Sequence, residues 1–319
     1  MPMDLITKFI NDARKNPKRV VLPEGDDPRV IAAAHRLMNE GIAHPIVLSN
    51  RTLVGAEGLT CISPTESPVS VAYSQAYSSR RDGLNVGAAA RLIRRPLFYG
   101  AMMVREGDAD AMVAGVTKAT SQVIAAGALA IGYTEGVTQP SSFFIMVIPG
   151  PPTQTLVYSD AAVTVDPSPN ELAHIAITTA RNAGQLLSIE PRVAFLSFST
   201  YGSAQHPRVY KVQEAVRIAR GLAPDLLIDG ELQVDSAIST RVAQTKCPDS
   251  PLGGKANVLI FPDLDSANIA YKLTQYLAGA QAIGPVMQGF RYPLNDLSRG
   301  ATVDDIVAVS AIASLQSLA

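Results

Sequence analysis

The chain has 319 residues, 47% of them apolar, with 27 basic against 28 acidic residues and a net charge of −1. That length predicts two domains or one large one, and the apolar share excludes a disordered chain. The even charge balance excludes a nucleic-acid surface built on basic excess, and no charged block marks a tail.

In chain order, short β-branched or apolar runs alternate with longer Ala/Leu-rich segments that carry charges at helical spacing. Arg19–Pro23 reads as a buried first strand, and Pro28–Gly41 as a helix with Asp27 as its cap and Pro28 in its first turn. Pro45–Leu48 is a second strand, so the unit is strand–helix–strand and favours a parallel sheet. Ala109–Gly115 gives another strand that opens into a helix. Ser142–Ile148 and Thr155–Tyr158 flank a Pro/Gly-rich turn and read as a hairpin. A helix follows from Ser168, with Pro169 in its first turn and Glu171 completing a capping box. Arg192–Phe198, Asp225–Ile228 and Ala256–Phe261 are three further strands, each followed by a polar loop. In a parallel sheet those three loops share one edge, where α/β proteins bind ligands.

Cys61 and Cys247 lie far apart, and His35, His44, His174 and His206 are scattered. Neither set has disulfide or metal-ligand spacing. No apolar run reaches membrane-spanning length, and Met1-Pro2-Met3-Asp4 lacks a signal-peptide layout. The expectation is a cytoplasmic protein with reduced thiols.

Four constellations carry chemistry. Ser298, Arg299 and Asp305 lie within eight residues at the start of an apolar helix, an end that favours negative charge. Arg299 suits a phosphoryl or acyl oxygen, Ser298 can donate to an oxyanion, and Asp305 can take a proton. By spacing alone Thr302-x-x-Asp305 fits a helix cap better than a catalytic role, and Asp304 competes for either. Ser197–Ala204 is a hydroxyl-rich turn with a glycine that either wraps an anion or simply caps a helix; it is not a P-loop. Asp229, Glu231 and Asp235 can bind a divalent metal, cap a helix or pair with an arginine. Arg80, Arg81, Arg91, Arg94 and Arg95 form a basic group that suits phosphates or a solvated helix face.

Taken together and in order, the segments Val21–Gly25, Gly107–Ala111, Leu196–Ala204, Ile228–Ala237, Gly254–Ala270 and Pro293–Gly300 resemble the phosphotransacetylase (phosphate acetyl/butyryltransferase) family over nearly the whole chain. The resemblance implies two three-layer α/β domains around a cleft, like the isocitrate dehydrogenase group. Domain I is expected at 1–137 plus 288–319 and domain II at 138–287, in a homodimer. It implies the reaction acetyl-CoA + phosphate = acetyl phosphate + CoA in a ternary complex. No cofactor, metal or covalent enzyme intermediate is implied, and acyl-CoA and phosphate are the only small-molecule substrates. In that scheme Asp305 deprotonates the CoA thiol, and Ser298 and Arg299 stabilise the oxyanion and the departing phosphate. Thr200, Gly202, Ser203 and Arg299 hold phosphate, and Arg80, Arg81, Arg91 and Lys118 hold CoA.

The sequence departs from the family pattern after Gly115. A His-Ser-Thr/Ser-like run and an arginine are expected there, but the chain reads Val116–Ala125, with Ala125 at the arginine position. Lys118 replaces part of the charge without the bidentate fork. Three alternatives follow: a phosphate acyltransferase for propionyl or butyryl groups, a non-catalytic acyl-CoA-sensing module, and a dehydrogenase of the same fold group. The dehydrogenase lacks a dinucleotide fingerprint here.

Overall fold

A computed structural model describes residues 4–318. Met1–Met3, on which part of the leader expectation rests, and Ala319 lie outside the described residues. Two compact units form: unit 1 is Met1–Thr134 with Phe290–Ala319, and unit 2 is Glu135–Gly289. Among the described residues, no helix is long and apolar enough to cross a membrane.

Unit 1 begins with α1 (Leu5–Ala13), β1 (Lys18–Leu22), α2 (Pro28–Asn39), β2 (Ala43–Leu48) and β3 (Thr60–Ile62). It continues with α3 (Val69–Ser78), α4 (Val86–Ile93), α5 (Pro96–Glu106), β4 (Ala111–Ala114) and α6 (Thr120–Ala126), which runs into a π-helical turn at Gly127–Ile131. Unit 2 contains β5 (Ser141–Ile148), β6 (Gln154–Ser159), α7 (Pro169–Leu187), β7 (Arg192–Leu196), α8 (Pro207–Leu222) and β8 (Leu227–Leu232). It closes with α9 (Val234–Ile238), α10 (Thr240–Lys246), β9 (Val258–Ile260), α11 (Leu264–Leu277) and β10 (Gln281–Gln288). The chain then returns to unit 1 as β11 (Leu294–Asp296) and α12 (Val303–Gln316).

The unit 1 sheet has the order β11-β4-β1-β2-β3 and is parallel throughout. Its central strands are apolar on both sides because both faces are covered. Val20, Leu22, Ala111 and Val113 pack on one side with Val30, Leu37, Ile306, Val307 and Ala311 of α2 and α12. On the other side α5 comes so close that a Cβ on Gly100 would lie 3.1 Å from the Met112 sulfur. The local signals behave as their chemistry requires. Asp27 accepts from the Arg29 N–H at 2.9 Å and caps α2, with Pro28 in the first turn.

The unit 2 sheet has the order β10-β5-β6-β9-β7-β8. β10, β5 and β6 are antiparallel, and β6, β9, β7 and β8 are parallel. The β5–β6 hairpin is the expected one, paired from Phe143↔Ser159 to Ile148↔Gln154. Phe144, Leu156, Leu259 and Phe261 fill one side of the sheet with Ala267 of α11, and α7 and α8 cover the other. Ser168 and Glu171 exchange the two bonds of a capping box at the start of α7. One segment differs from its reading as a loop. β8 runs on through Asp229, Gly230 and Glu231 to Leu232, because buried partners described below satisfy both acids inside the sheet.

Candidate active site

Unit 1 holds a pocket of about 740 Å³ at the C-terminal edge of its parallel strands, lined by Pro23, Glu24, Arg51, Arg95, Leu97, Phe98, Thr117, Lys118 and Ala125 among others. β1 ends at Leu22, and Pro23 carries the chain out so that Glu24 turns under the β4–α6 loop. The Glu24 carboxylate is 6% exposed. It accepts from the N–H groups of Gly115 and Val116 through Oε2, at 2.7 and 2.9 Å. Through Oε1 it accepts from the N–H groups of Thr117 and Lys118 and from the Thr117 hydroxyl, at 2.7, 2.8 and 2.7 Å. Successive main-chain N–H groups make an anion-binding concavity, and here a resident carboxylate fills it. The loop is thereby fixed with the Lys118 side chain on the pocket wall. The ammonium of Lys118 and the guanidinium of Arg95 have no ion-pair partner among the described residues, and Arg51 reaches Asp26 only at 4.0 Å.

The same loop is tied to the segment after β11. β11 places Asp296 opposite Ala114 in register, and the Leu297 N–H continues the ladder to the Ala114 carbonyl at 2.7 Å. Asp296 is buried, and its Oδ2 accepts from the Thr120 hydroxyl at 2.6 Å. Gly115, at φ +112°, allows this approach, since a Cβ there would collide with Asp296 Oδ1 and the Leu297 main chain. Burial pushes the Asp296 carboxyl up to about 6, with the charge of Glu24 adding and the Thr120 bond opposing. From the other side Arg29 cross-links both segments. It donates to the carbonyls of Val116, Arg299 and Ala301 at 3.3, 3.0 and 2.8 Å, while Asp27 pairs with it at 2.8 Å.

Ser298 and Arg299 lie in the exposed turn between β11 and α12. Ser298 Oγ accepts from the Gly300 N–H at 3.2 Å, and no carboxylate pairs with the Arg299 guanidinium among the described residues. Asp305 does cap α12. Its Oδ2 accepts from the Thr302 N–H and hydroxyl, both at 2.8 Å, and its own N–H donates back to the Thr302 hydroxyl at 3.2 Å. Both cap bonds use one oxygen, which leaves Oδ1 available; a carboxylate has lone pairs enough for a cap and a second role. Asp304, the competitor, is engaged by Arg36 instead.

In unit 2 the hydroxyl-rich turn also wraps a carboxylate. Glu231, 2% exposed, accepts from the Ser199 hydroxyl at 2.8 Å and the Gly202 N–H at 2.7 Å through Oε1, and from Gln213 at 3.0 Å through Oε2. The Thr200 N–H donates to Ser203 Oγ at 3.0 Å, the Thr200 hydroxyl oxygen accepts from the Gln233 N–H at 2.9 Å, and the Ser203 N–H returns to the Thr200 carbonyl. What the turn still offers a ligand is hydroxyls rather than free N–H groups. The neighbouring acids are separately engaged. Asp229 is held by Arg220 and Tyr201, both at 2.6 Å, and by Ser250, and Asp235 by Lys246 at 2.8 Å.

The basic group is divided. Arg80 pairs with Glu106 at 2.7 Å, and Arg81 donates to the Leu129 carbonyl at 2.9 Å and stacks on Tyr77. Arg91 is exposed in the last turn of α4. None of these three lines the pocket, whereas Lys118 does. Glu24, Arg29, Asp296 and Arg51 are not singled out by motif as site residues. For Arg95 the signal was present in the basic group; for Glu24 it lay in the Val21–Gly25 segment.

The profile of the phosphate acetyl/butaryl transferase family matches residues 4–314. A phosphate acetyltransferase of Thermoanaerobacterium thermosaccharolyticum is 43% identical over 99% of this chain and 100% of its own length. The crystal structure of a phosphotransacetylase from Streptococcus pyogenes superposes with a TM-score of 0.92 at 37% identity, covering 98% of both chains. A putative 4-hydroxythreonine-4-phosphate dehydrogenase from Salmonella typhimurium, 14% identical, has a TM-score of 0.52 over 95% of this chain and 100% of its own, a likeness of fold alone. Matched along nearly its entire length in both sequence and structure, the chain belongs to the phosphate acetyl/butaryl transferase family.

Proposed function

We infer that the chain is a phosphate acetyltransferase, exchanging an acetyl group between CoA and inorganic phosphate. The observation that carries the reading is the unit 1 pocket. Lys118, Arg95 and Arg51 place cationic side chains around a wall that includes Pro96, Leu97 and Phe98. That pairing of cations with apolar surface suits an acyl-CoA, whose phosphates are anionic and whose acyl-pantetheine arm is not.

Starting from acetyl phosphate, Asp305 takes the thiol proton of CoA through its open oxygen, because the thiolate is the nucleophile. The sulfur attacks the acetyl carbonyl, the C–O bond to phosphate breaks, and phosphate leaves with the electron pair. Ser298 and Arg299 stabilise the tetrahedral oxyanion and the departing phosphate. Thr200 and Ser203 hold phosphate by hydroxyls, with Gly202 shaping the turn. Arg80, Arg81 and Arg91 act on CoA as long-range charges, while Lys118 contacts it. The active form is a homodimer. Support comes from the outward face of α11, where Ile269, Leu273, Tyr276 and Leu277 stay more than half exposed, an apolar stripe that a second copy can cover.

The test is thiol release by the purified full chain with acetyl-, propionyl- and butyryl-CoA, with and without phosphate. Phosphate-dependent release fastest on acetyl-CoA is expected. Fastest turnover on butyryl-CoA overturns the acetyl assignment, and binding without release supports the sensing module. Light scattering should give twice the chain mass.

A further inference from the structure

The Asp296 carboxylate has one oxygen bonded to Thr120 and one, Oδ1, that is inaccessible to water and has no hydrogen bond of normal geometry among the described residues, the nearby Leu297 N–H being directed at the Ala114 carbonyl. A buried acceptor left unpaired costs free energy, so its retention calls for a reason. Asp296 ends β11 two residues before Ser298, and Thr120 opens α6, which together with its preceding loop carries Lys118, Gln122 and Ala125 to the pocket. The 2.6 Å bond between them is thus a side-chain link, within unit 1, between the segment bearing Ser298 and Arg299 and the segment bearing Lys118.

We propose that Asp296 is a positioning residue of the acyl transfer, its ionised carboxylate clamping Thr120 so that the Lys118 loop and the Ser298–Arg299 turn keep a fixed spacing. This rests on the acetyltransferase reading above. A charge-assisted hydrogen bond is about twice as strong as a neutral one, so protonation loosens the clamp. Burial disfavours the charge on Asp296 most and Glu24, the charged group that faces it, adds to this, while the Thr120 hydroxyl and the Leu297 N–H oppose them by stabilising the carboxylate. The clamp therefore titrates close to pH 6 rather than in the ordinary carboxylate range.

The test uses the full chain and three variants, Asp296→Asn, Thr120→Val and Thr120→Ser, assayed for kcat, KM and kcat/KM between pH 5 and 8. Wild type should lose activity on an acid limb near pH 6. Asp296→Asn and Thr120→Val should each lower kcat about tenfold at pH 8 and abolish that limb, with KM for acetyl-CoA raised less. The double variant should be no worse than either single one, and Thr120→Ser should retain both rate and limb. An active wild type whose limb and kcat persist in Asp296→Asn overturns the proposal. A wild type inactive on every acyl-CoA overturns the functional reading instead. If Asp296→Asn does not fold, Thr120→Val decides: an unchanged limb refutes the clamp and a lost one supports it.

Discussion

The guanidinium of Arg29 donates to the main-chain carbonyl of Arg299 at 3.0 Å, across 270 residues of sequence. The same side chain also reaches Val116 and Ala301 and is paired with Asp27. One residue in the first turn of α2 thus holds the turn carrying Ser298 and Arg299 against the loop carrying Lys118. Its charge is spent on carbonyls and on Asp27, whose carboxyl it keeps below the usual range, so its role is to hold the backbone.

Arg29→Lys should therefore lower kcat by at least tenfold. A point charge cannot span carbonyls on two segments as a planar fork does. The α2 cap survives, because Asp27 accepts from the main-chain N–H of residue 29. Urea unfolding should show a loss of about 1–3 kcal/mol, the value of a few hydrogen bonds to a charged group. Unchanged turnover with normal stability would show that the turn holds itself.

Glu24→Gln should cost more. Five donors converge on two oxygens, and the amide of glutamine turns one acceptor into a donor that faces N–H groups. A loss of about 3–5 kcal/mol is expected, as for breaking a buried charged network, together with a raised KM for acetyl-CoA as the Lys118 loop loosens. The urea midpoint and KM measure the two effects separately.

Local chemistry was the legible part of this fold. Asp27–Pro28, Ser168–Glu171 and Thr302–Asp305 carry their partners within three residues, so spacing alone exposes them. Glu24 and Arg29 were not legible as site residues, because their partners lie 91 and 270 residues away and only the fold joins them. Asp229 and Glu231 misled for a related reason. Acids after a strand read as a loop until Arg220, Tyr201, Ser199 and Gln213 are seen to satisfy them inside β8. The basic group is undivided by composition: charge counts cannot tell Arg80, which pairs with Glu106, from Arg95, which lies on the pocket wall with no ion-pair partner among the described residues.

Capping and proton transfer by Asp305 separate in two substitutions. Asp305→Asn keeps a side-chain oxygen for the Thr302 donors, so stability should stay within about 0.5 kcal/mol while turnover falls by orders of magnitude. Thr302→Ala removes the N-cap hydroxyl and should cost about 1 kcal/mol, with turnover down only severalfold. If Asp305→Asn lowers the melting temperature and leaves turnover intact, the residue is a cap alone.

Ala125 leaves open a stretch of pocket wall that a long side chain would fill. Ala125→Arg should lower KM for CoA severalfold by adding a bidentate phosphate donor. The same change should reduce the rate on butyryl-CoA relative to acetyl-CoA, since the guanidinium takes up space in the pocket. The acyl-CoA panel reads both effects in one series.

Asp296 makes an opposite pair of predictions for stability and activity. Its carboxyl is held at about 6 in the folded chain against an ordinary value of 3.8, chiefly by burial. The unfolded chain therefore releases that proton first as pH rises. The favourable contribution of the protonated group is complete below pH 3.8 and is lost through pH 6, a difference of about 3 kcal/mol at 1.36 kcal/mol per pK unit. Asn cannot ionise. The stability of Asp296→Asn minus wild type should thus rise from near zero at pH 4 to a plateau above pH 7, while the variant turns over more slowly at that plateau. Greater stability with lower activity is the signature of a strained group kept for function. A stability difference that is flat with pH would mean the carboxyl titrates normally and the clamp has no pH-dependent term.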